Sequence, residues 1–322
     1  MHSWRRLLLG AFAAVLTAGL VAGVPAANAI GNPDVKMRDN SSDTGAEPSS
    51  GPVWSSPDIR VCDTPSYCAA DVEVTPGLTY YVFVTLNNTG ERETSGRLHL
   101  YYTEAGGNAT WPTDWVAINT PVADTVLAPG VNPPIMIPWT LPGDWVHFCL
   151  LARWVSKTDP MPVEGPSTVT NTSASNNIVW HNVVTHGPFD PGDHFKAPFM
   201  IANPGRKPDR ACLLVEPSGE RPFIGPGTML VDIGPALFER WKAAGGQAKG
   251  FKQVGETQFQ AVDPRRSLLC GITLNPKDRF ALIFDFAGTK DAAGNAFVVN
   301  AIQTNAQGED QGGVEYRLSF KG

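Results

Sequence analysis

His147 and Cys149 are the pair of side chains in this sequence whose types and spacing come closest to covalent chemistry. Two residues apart on a predicted strand, they project from one face with Cα atoms roughly 7 Å apart. A cysteine becomes a nucleophile only when a nearby base converts the thiol to a thiolate. Because the strand around Cys149 is strongly apolar, the sequence favours a small buried thiol beneath another segment.

Motifs for other kinds of catalysis do not appear in the sequence. None of the histidines beyond residue 30 is paired with another at the helical spacing of four that a zinc hydrolase uses. The Gly-x-Ser-x-Gly motif of serine hydrolases is missing, and the acidic residues are scattered over turns. The sequence therefore predicts a protein that is not an enzyme. A hydrolase with a hidden site, or a protease inhibitor, is the less favoured alternative.

Oxygen ligands for a hard cation are concentrated in one short segment. Asp39, Asn40, Asp43 and Glu47 lie within nine residues, and Ca²⁺ binds several oxygens on a tight loop. The spacing does not match an EF-hand, and side-chain-capped turns explain the same residues more simply. We predict Asp39, Asp43 and Glu47 as a candidate Ca²⁺ site and no other cofactor.

Tryptophan is unevenly distributed along the chain. Beyond residue 30, all tryptophans except Trp241 precede residue 185. Trp111 and Trp115 follow a Gly-Gly-Asn turn and flank Pro112 and Asp114, which indicates an exposed position. Since an exposed indole ring can stack on a sugar, the two are predicted to contact a ligand, with core packing as the alternative.

Five cysteines in a chain with an export signal indicate disulfides. Cys62 and Cys68 are close in sequence and suit a single stapled loop, whereas Cys212 and Cys270 lie on two predicted strands. Cys149 is then left unpaired. The sequence alone does not fix this connectivity, so both pairs stand as expectations.

The first 29 residues are typical of a cleaved signal peptide. Arg5 and Arg6 precede an apolar stretch, and Ala27-Asn28-Ala29 supplies a small-x-small cleavage site. The signal does not distinguish the general secretory route from the twin-arginine route. The remainder has no further apolar span, and the chain has a net charge of −6 without a basic cluster. We therefore expect a secreted or extracellular protein with no membrane span after cleavage and no nucleic-acid partner.

Short segments with alternating apolar residues, separated by glycine- and proline-rich turns, indicate an all-β fold. We predict a signal peptide (1–29), an extended lead-in (30–57), an Ig-like β-sandwich (58–186), a linker (187–194) and a second β-sandwich (195–322). One short helix is expected, with Pro235 in its first turn and Gly245-Gly246 at its end. The fold class is therefore two β-sandwich (Ig-like) domains, the second with one short helix.

Several segments between residues 34 and 185, taken together, resemble those of a known protein family. They are Met37-Arg38-Asp39-Asn40, Trp54-Ser55-Ser56-Pro57-Asp58-Ile59, Trp111-Pro112-Thr113-Asp114-Trp115, His147-Phe148-Cys149-Leu150-Leu151-Ala152-Arg153 and Asn176-Asn177-Ile178-Val179-Trp180. This half resembles exported bacterial Ig-like modules of the CARDB type, which occur beside secreted proteases and cell-surface proteins. The resemblance implies a β-sandwich with an accessory or adhesive role and supplies no ligand.

Together these features predict a non-catalytic binding or adhesion module of the bacterial cell surface or medium. Its partner would be a protein or glycan ligand outside the cell. The main alternative is a secreted carbohydrate-binding protein that uses Trp111 and Trp115. A structural subunit of a surface assembly is a further alternative.

Overall fold

The structure is a computed structural model, and it describes residues 31–104, 106–118, 124–143, 147–184 and 188–322. The predicted signal peptide lies outside the described residues, as do Trp145 and His186. Residues Gly31–Gly322 form one compact unit.

The first half is built from short antiparallel strands: β1 (Val35–Lys36), β2 (Ile59–Cys62), β3 (Thr79–Val84), β4 (Asn87–Asn88), β5 (Thr94–Thr103), β6 (Val116–Ala117), β7 (Thr125–Leu127), β8 (Gly130–Val131), β9 (Ile135–Thr140), β10 (His147–Ser156) and β11 (Ile178–Val184). One sheet has the order β11-β10-β5-β6, with β7 also paired to β5, and a second has the order β2-β3-β9. A small third sheet, β1-β4-β8, brings the N-terminal segment onto this half. Apolar side chains between the sheets form the first core.

The second half contains β12 (His194–Ala202), β13 (Asp209–Pro217), β14 (Gly227–Asp232), β15 (Gln247–Lys249), β16 (Phe251–Gln253), β17 (Gln258–Ala261), β18 (Ser267–Leu274), β19 (Arg279–Gly288), β20 (Ala296–Asn305) and β21 (Asp310–Ser319). The strands form two five-stranded sheets, β12-β19-β14-β17-β16 and β15-β18-β13-β20-β21, which enclose a phenylalanine-rich core. The prediction of two β-sandwiches is confirmed.

Two α-helices accompany the strands in the described part of the chain. The predicted helix is α2 (Gly234–Ala243), which has a proline in its first turn and buries Leu237. Helix α1 (Thr168–Ala174) was not expected, because the alternating segments of the first half indicate strands. It has no apolar periodicity, and the side chain of Ser167 caps its N-terminus. No helix within the described ranges has the length and apolar character needed to cross a bilayer.

Successive side chains of β10 point to opposite faces of the sheet, and each face packs into a different core. Phe148, Leu150, Ala152 and Trp154 enter the first core, as their period-2 spacing predicts. The opposite face carries Cys149 and Leu151, which pack against the second half of the chain.

The contact between the halves is hereafter called the seam. At its centre Cys149, Leu151 and Trp180 of the first sandwich share one buried cluster with Leu214 and Ile302 of the second. The lead-in reaches the seam as well, since the Trp54 indole N–H donates to Asp310 Oδ2 at 3.1 Å.

Gly107 lies where the backbones of the two halves approach each other closely across the seam. The backbone of Met200 bonds on either side of it: Met200 N donates to Gly106 O at 2.7 Å, and Asn108 N donates to Met200 O at 3.1 Å. Gly107 has φ of 86°, and a Cβ there would lie 2.2 Å from Met200 O. Only glycine satisfies both requirements at this position.

Candidate functional site

Trp111 lies at the surface end of the seam, on a turn that the first sandwich holds firmly. Its backbone N–H donates to Pro166 O at 2.9 Å. The partly exposed indole meets the ring of Tyr101 at right angles, with centroids 5.1 Å apart. The guanidinium of Arg153 lies 4.6 Å from the indole centroid, in a cation–π contact. The ring is therefore fixed in place while part of its surface stays open to solvent.

A groove of about 570 Å³ opens beside this ring, between the first sandwich and two turns of the second. One turn, residues 203–206, follows β12, and the other, residues 275–278, precedes β19. The two turns support each other, because Lys277 N donates to Asn203 O at 2.8 Å. Three prolines and the indole supply the apolar walls of what we call the Trp111 groove: Trp111, Pro166, Pro204 and Pro276.

Among the described residues that line the Trp111 groove, the charged side chains are all basic. They are Arg206, Lys277 and Arg279. Arg279 is partly neutralised by the buried carboxylate of Asp114, at 2.6 Å. Arg206 and Lys277 are exposed, and within the described part of the chain neither has an ion-pair partner. The groove therefore offers two available positive charges beside an aromatic surface.

Two further grooves adjoin the Trp111 groove along the seam. One, of about 650 Å³, shares the turn 203–206 with it, and another, of about 370 Å³, shares Thr113 and Arg279. The first of these also contains Asp209 and Glu309, and the second contains Glu104. Together the three grooves form an extended surface cleft along the seam. The middle of this cleft is basic, and its two ends carry both basic and acidic side chains.

The expectation that Trp115 is exposed beside Trp111 is wrong. Trp115 is 6% exposed, and its indole N–H donates to the Thr168 hydroxyl at 3.0 Å. Its ring packs at right angles against Trp180, with centroids 5.7 Å apart. Trp115 belongs to the seam, because the turn at 111–114 directs the chain back under helix α1.

The predicted Ca²⁺ residues are engaged separately and do not converge. Asp39 is 2% exposed and accepts a short hydrogen bond from the Ser49 hydroxyl. Asp43 accepts from the N–H groups of Asp39 and Gly45, at 2.9 and 2.7 Å, as a turn-capping carboxylate. Glu47 accepts from Asn176 N at 2.7 Å. Among the described residues no three His, Cys, Asp or Glu side chains are grouped to hold a metal ion, so this prediction is corrected.

Cys149 lies in a polar cluster inside the seam. Its Sγ is 3.2 Å from His147 Nε2 and donates to Asn182 Oδ1 at 3.0 Å. Cysteine, histidine and asparagine are also the components of a papain-type nucleophile. Here burial raises the pKa of the Cys149 thiol to about 12 and lowers the pKa of His147 to about 3. Both groups are neutral at physiological pH, which opposes thiolate chemistry.

Both expected cysteine pairs are joined in the structure. Cys62–Cys68 closes a loop at the end of β2, and Cys212–Cys270 links directly opposed residues of β13 and β18. Cys149 is a free, buried thiol.

The basic residues of the Trp111 groove were not recognised in the sequence. Their only signal is turn composition, Asn203-Pro-Gly-Arg-Lys and Asn275-Pro-Lys-Asp, which indicates exposed turns. Nothing in the sequence indicates that these turns, some seventy residues apart, both meet Trp111.

No family model matches the chain, and no curated protein is significantly similar to it. Membership of the CARDB-type modules therefore stays a prediction.

Solved structures with partial similarity include a collagen-binding domain from a Staphylococcus aureus adhesin, at 13% identity and a TM-score of 0.21, over 38% of this chain and 85% of that one. The S. aureus collagen adhesin matches at 12% identity and a TM-score of 0.22, over 81% and 90%. Red sea bream transglutaminase matches at 8% identity and a TM-score of 0.22, over 82% of this chain, which spans only 31% of the enzyme. Similarities this low carry no argument about function.

Proposed function

We propose that this protein is a non-catalytic binding or adhesion module that acts outside the cytoplasm, and that its ligand occupies the Trp111 groove. The observation that carries the proposal is the indole of Trp111, clamped by Tyr101 and Arg153 yet partly exposed in a concave surface. Rigid aromatic side chains in grooves lose little entropy on binding and are frequent energetic centres of recognition sites.

The two disulfides support a location outside the cytoplasm. Disulfides form and persist in oxidising compartments and are rare in the reducing cytosol of mesophilic organisms. Cys62–Cys68 and Cys212–Cys270 are both present. Together with the predicted signal peptide, they favour a protein of the cell surface or the medium.

A carbohydrate is the ligand class that the lining of the groove favours. Thr110 and Thr113, which both carry a hydroxyl group, line the groove together with Trp111. Sugars present C–H faces that pack on an aromatic ring and hydroxyls that need hydrogen-bond partners, so this combination suits a saccharide.

The proposal is tested by screening the purified chain against an array of glycans and extracellular matrix proteins. We expect binding that the Trp111→Ala variant weakens at least tenfold, which is about the effect of losing one aromatic anchor. Tyr67→Ala is the matched control, because Tyr67 is 52% exposed and does not line the groove. A blank array, or equal binding by Trp111→Ala and the wild type, would contradict the proposal.

A further inference from the structure

The charge of the Trp111 groove indicates what kind of saccharide it accepts. We infer that the groove binds acidic sugar units of a polysaccharide, with Arg206 and Lys277 contacting their carboxylate or sulfate groups. This inference rests on the proposed function, since it names the ligand class of the same site.

The first argument is the contrast between the groove and the rest of the chain. The protein has a net charge of −6, with more acidic than basic residues. The described lining of the groove nevertheless contains three basic side chains and no acidic one. Arg279 is paired with Asp114, but Arg206 and Lys277 have no such partner among the described residues. Two uncompensated cations in a concave surface attract an anion more strongly than isolated surface charges do.

The second argument is the backbone of Lys277. With φ of 67°, it is the non-glycine residue that the described backbone holds in the left-handed region. Glycine or asparagine suits this conformation better, and a long side chain there is strained. The hydrogen bond from Lys277 N to Asn203 O holds the turn in place. Strain of this kind is frequent where the side chain itself is needed at a binding site.

The third argument is the shape of the cleft. The adjoining grooves extend the Trp111 groove in two directions along the seam, which suits a polymer better than a compact small molecule. Asp209 and Glu309 at one end and Glu104 at the other would repel negative charge that extends beyond the Trp111 groove. The preferred ligand therefore has acidic units at the centre of the cleft and fewer charges beyond it.

An acidic peptide would satisfy the two cations but not the indole. The aspartate and glutamate side chains of a flexible peptide have no ring to pack on Trp111, and ordering them costs conformational entropy. A uronic acid combines a carboxylate and a rigid ring in one unit, so it engages the cations and the ring together.

The experiment is calorimetric titration of the full chain with trigalacturonate and with its fully methyl-esterified form. The two probes share their sugar rings, and the ester carries an uncharged methyl ester in place of each carboxylate. We expect trigalacturonate to bind at least tenfold more tightly than the ester, and its affinity to fall as salt is raised, because screening weakens exposed charge pairs. The Arg206→Gln/Lys277→Gln variant should bind it about three- to tenfold more weakly, the effect of losing two exposed pairs.

The matched control is Arg210→Gln/Lys252→Gln, which makes the same charge change at exposed positions outside the groove. Equal weakening by both double variants would overturn the inference, because it would show a response to net charge alone. So would triglutamate binding as tightly as trigalacturonate, or failure of trigalacturonate to bind. Equal binding of the ester, with loss in Trp111→Ala, would overturn the inference while the proposed function stands. If neither trigalacturonate nor any ligand on the array binds, both the inference and the proposed function are contradicted.

Discussion

Cys149 shows how burial opposes thiolate formation even where a cysteine has a histidine and an asparagine beside it. The thiol lies within hydrogen-bond distance of both His147 and Asn182, yet desolvation keeps the thiol and the imidazole uncharged. The thiol thereby has two polar partners inside the seam, whereas Asn182 Nδ2 is a buried atom without a hydrogen-bond partner among the described residues. The cluster therefore serves the packing of the two sandwiches.

Asp39 is a second buried titratable residue, and its burial predicts how the stability of the fold changes with pH. Burial raises its pKa to about 8, so the folded chain retains a proton that the unfolded chain releases near pH 4. Stability should therefore fall between about pH 4 and pH 8, by up to about 1.4 kcal/mol per pH unit. In Asp39→Asn, whose amide still hydrogen-bonds Ser49, this contribution should disappear.

The measurement is the free energy of unfolding in urea across this pH range, for the wild type, Asp39→Asn and the exposed-site control Asp63→Asn. Only the Asp39 variant should gain stability relative to wild type as the pH rises. Parallel curves for all three proteins would show that Asp39 is ionised in the fold.

Replacing Lys277 is expected to have opposite effects on the stability of the fold and on ligand binding. Lys277→Gly removes the left-handed strain, which is partly offset by greater freedom of the unfolded chain, and should stabilise the fold by about 0.5–1 kcal/mol. The same variant should weaken binding of trigalacturonate. Thermal unfolding and titration calorimetry on one preparation measure both effects. A Lys277→Gly protein that is less stable than wild type would contradict the strain argument.

At the scale of elements, the disulfides predict unequal contributions to stability. Cys212–Cys270 spans 58 residues and Cys62–Cys68 spans 6. The entropy that a cross-link removes from the unfolded chain grows with loop length. We expect the Cys212→Ala/Cys270→Ala variant to lose about 4 kcal/mol and Cys62→Ala/Cys68→Ala about 2 kcal/mol. Chemical denaturation of the two variants measures the difference, and equal losses would refute it.

The elements that the sequence predicted well are those with strong alternation. On β10, Phe148 and Trp154 enter the core as their spacing requires, and Pro235 and the glycine pair bracket α2 closely. Helix α1 was missed because its threonine, serine and asparagine residues have low helix propensity and it is set by capping at Ser167. The sequence pattern therefore predicted β10 and α2, which each have a buried apolar face. It failed for α1, which depends on a capping hydrogen bond.

The candidate site was predictable only in part, for reasons at the scale of the whole molecule. Trp111 stood out by its turn context, but the same context suggested an exposed Trp115, which helix α1 and Trp180 cover. Arg206 and Lys277 join the site through the packing of one sandwich on the other. Such contacts depend on long-range packing, which sequence periodicity does not report.

The seam also predicts how the molecule unfolds. Trp54 is 3% exposed, packs within the seam cluster and donates to Asp310. Trp54→Ala should cost about 3–5 kcal/mol and uncouple the two sandwiches, so that one calorimetric transition becomes two. Phe259→Ala, in the core of the second sandwich alone, is the control for lost packing. Two transitions in the wild type would contradict coupling through the seam.

The bond between Trp54 and Asp310 joins residues 256 positions apart and has a consequence for biosynthesis. A chain that emerges N-terminus first presents Trp54 long before its partner has been synthesised. The part of the seam that the second sandwich covers stays exposed until the strands of that sandwich emerge, so closure across the seam comes late in folding. Because contacts this distant in sequence form slowly, we expect the newly made chain to depend on chaperones during that interval.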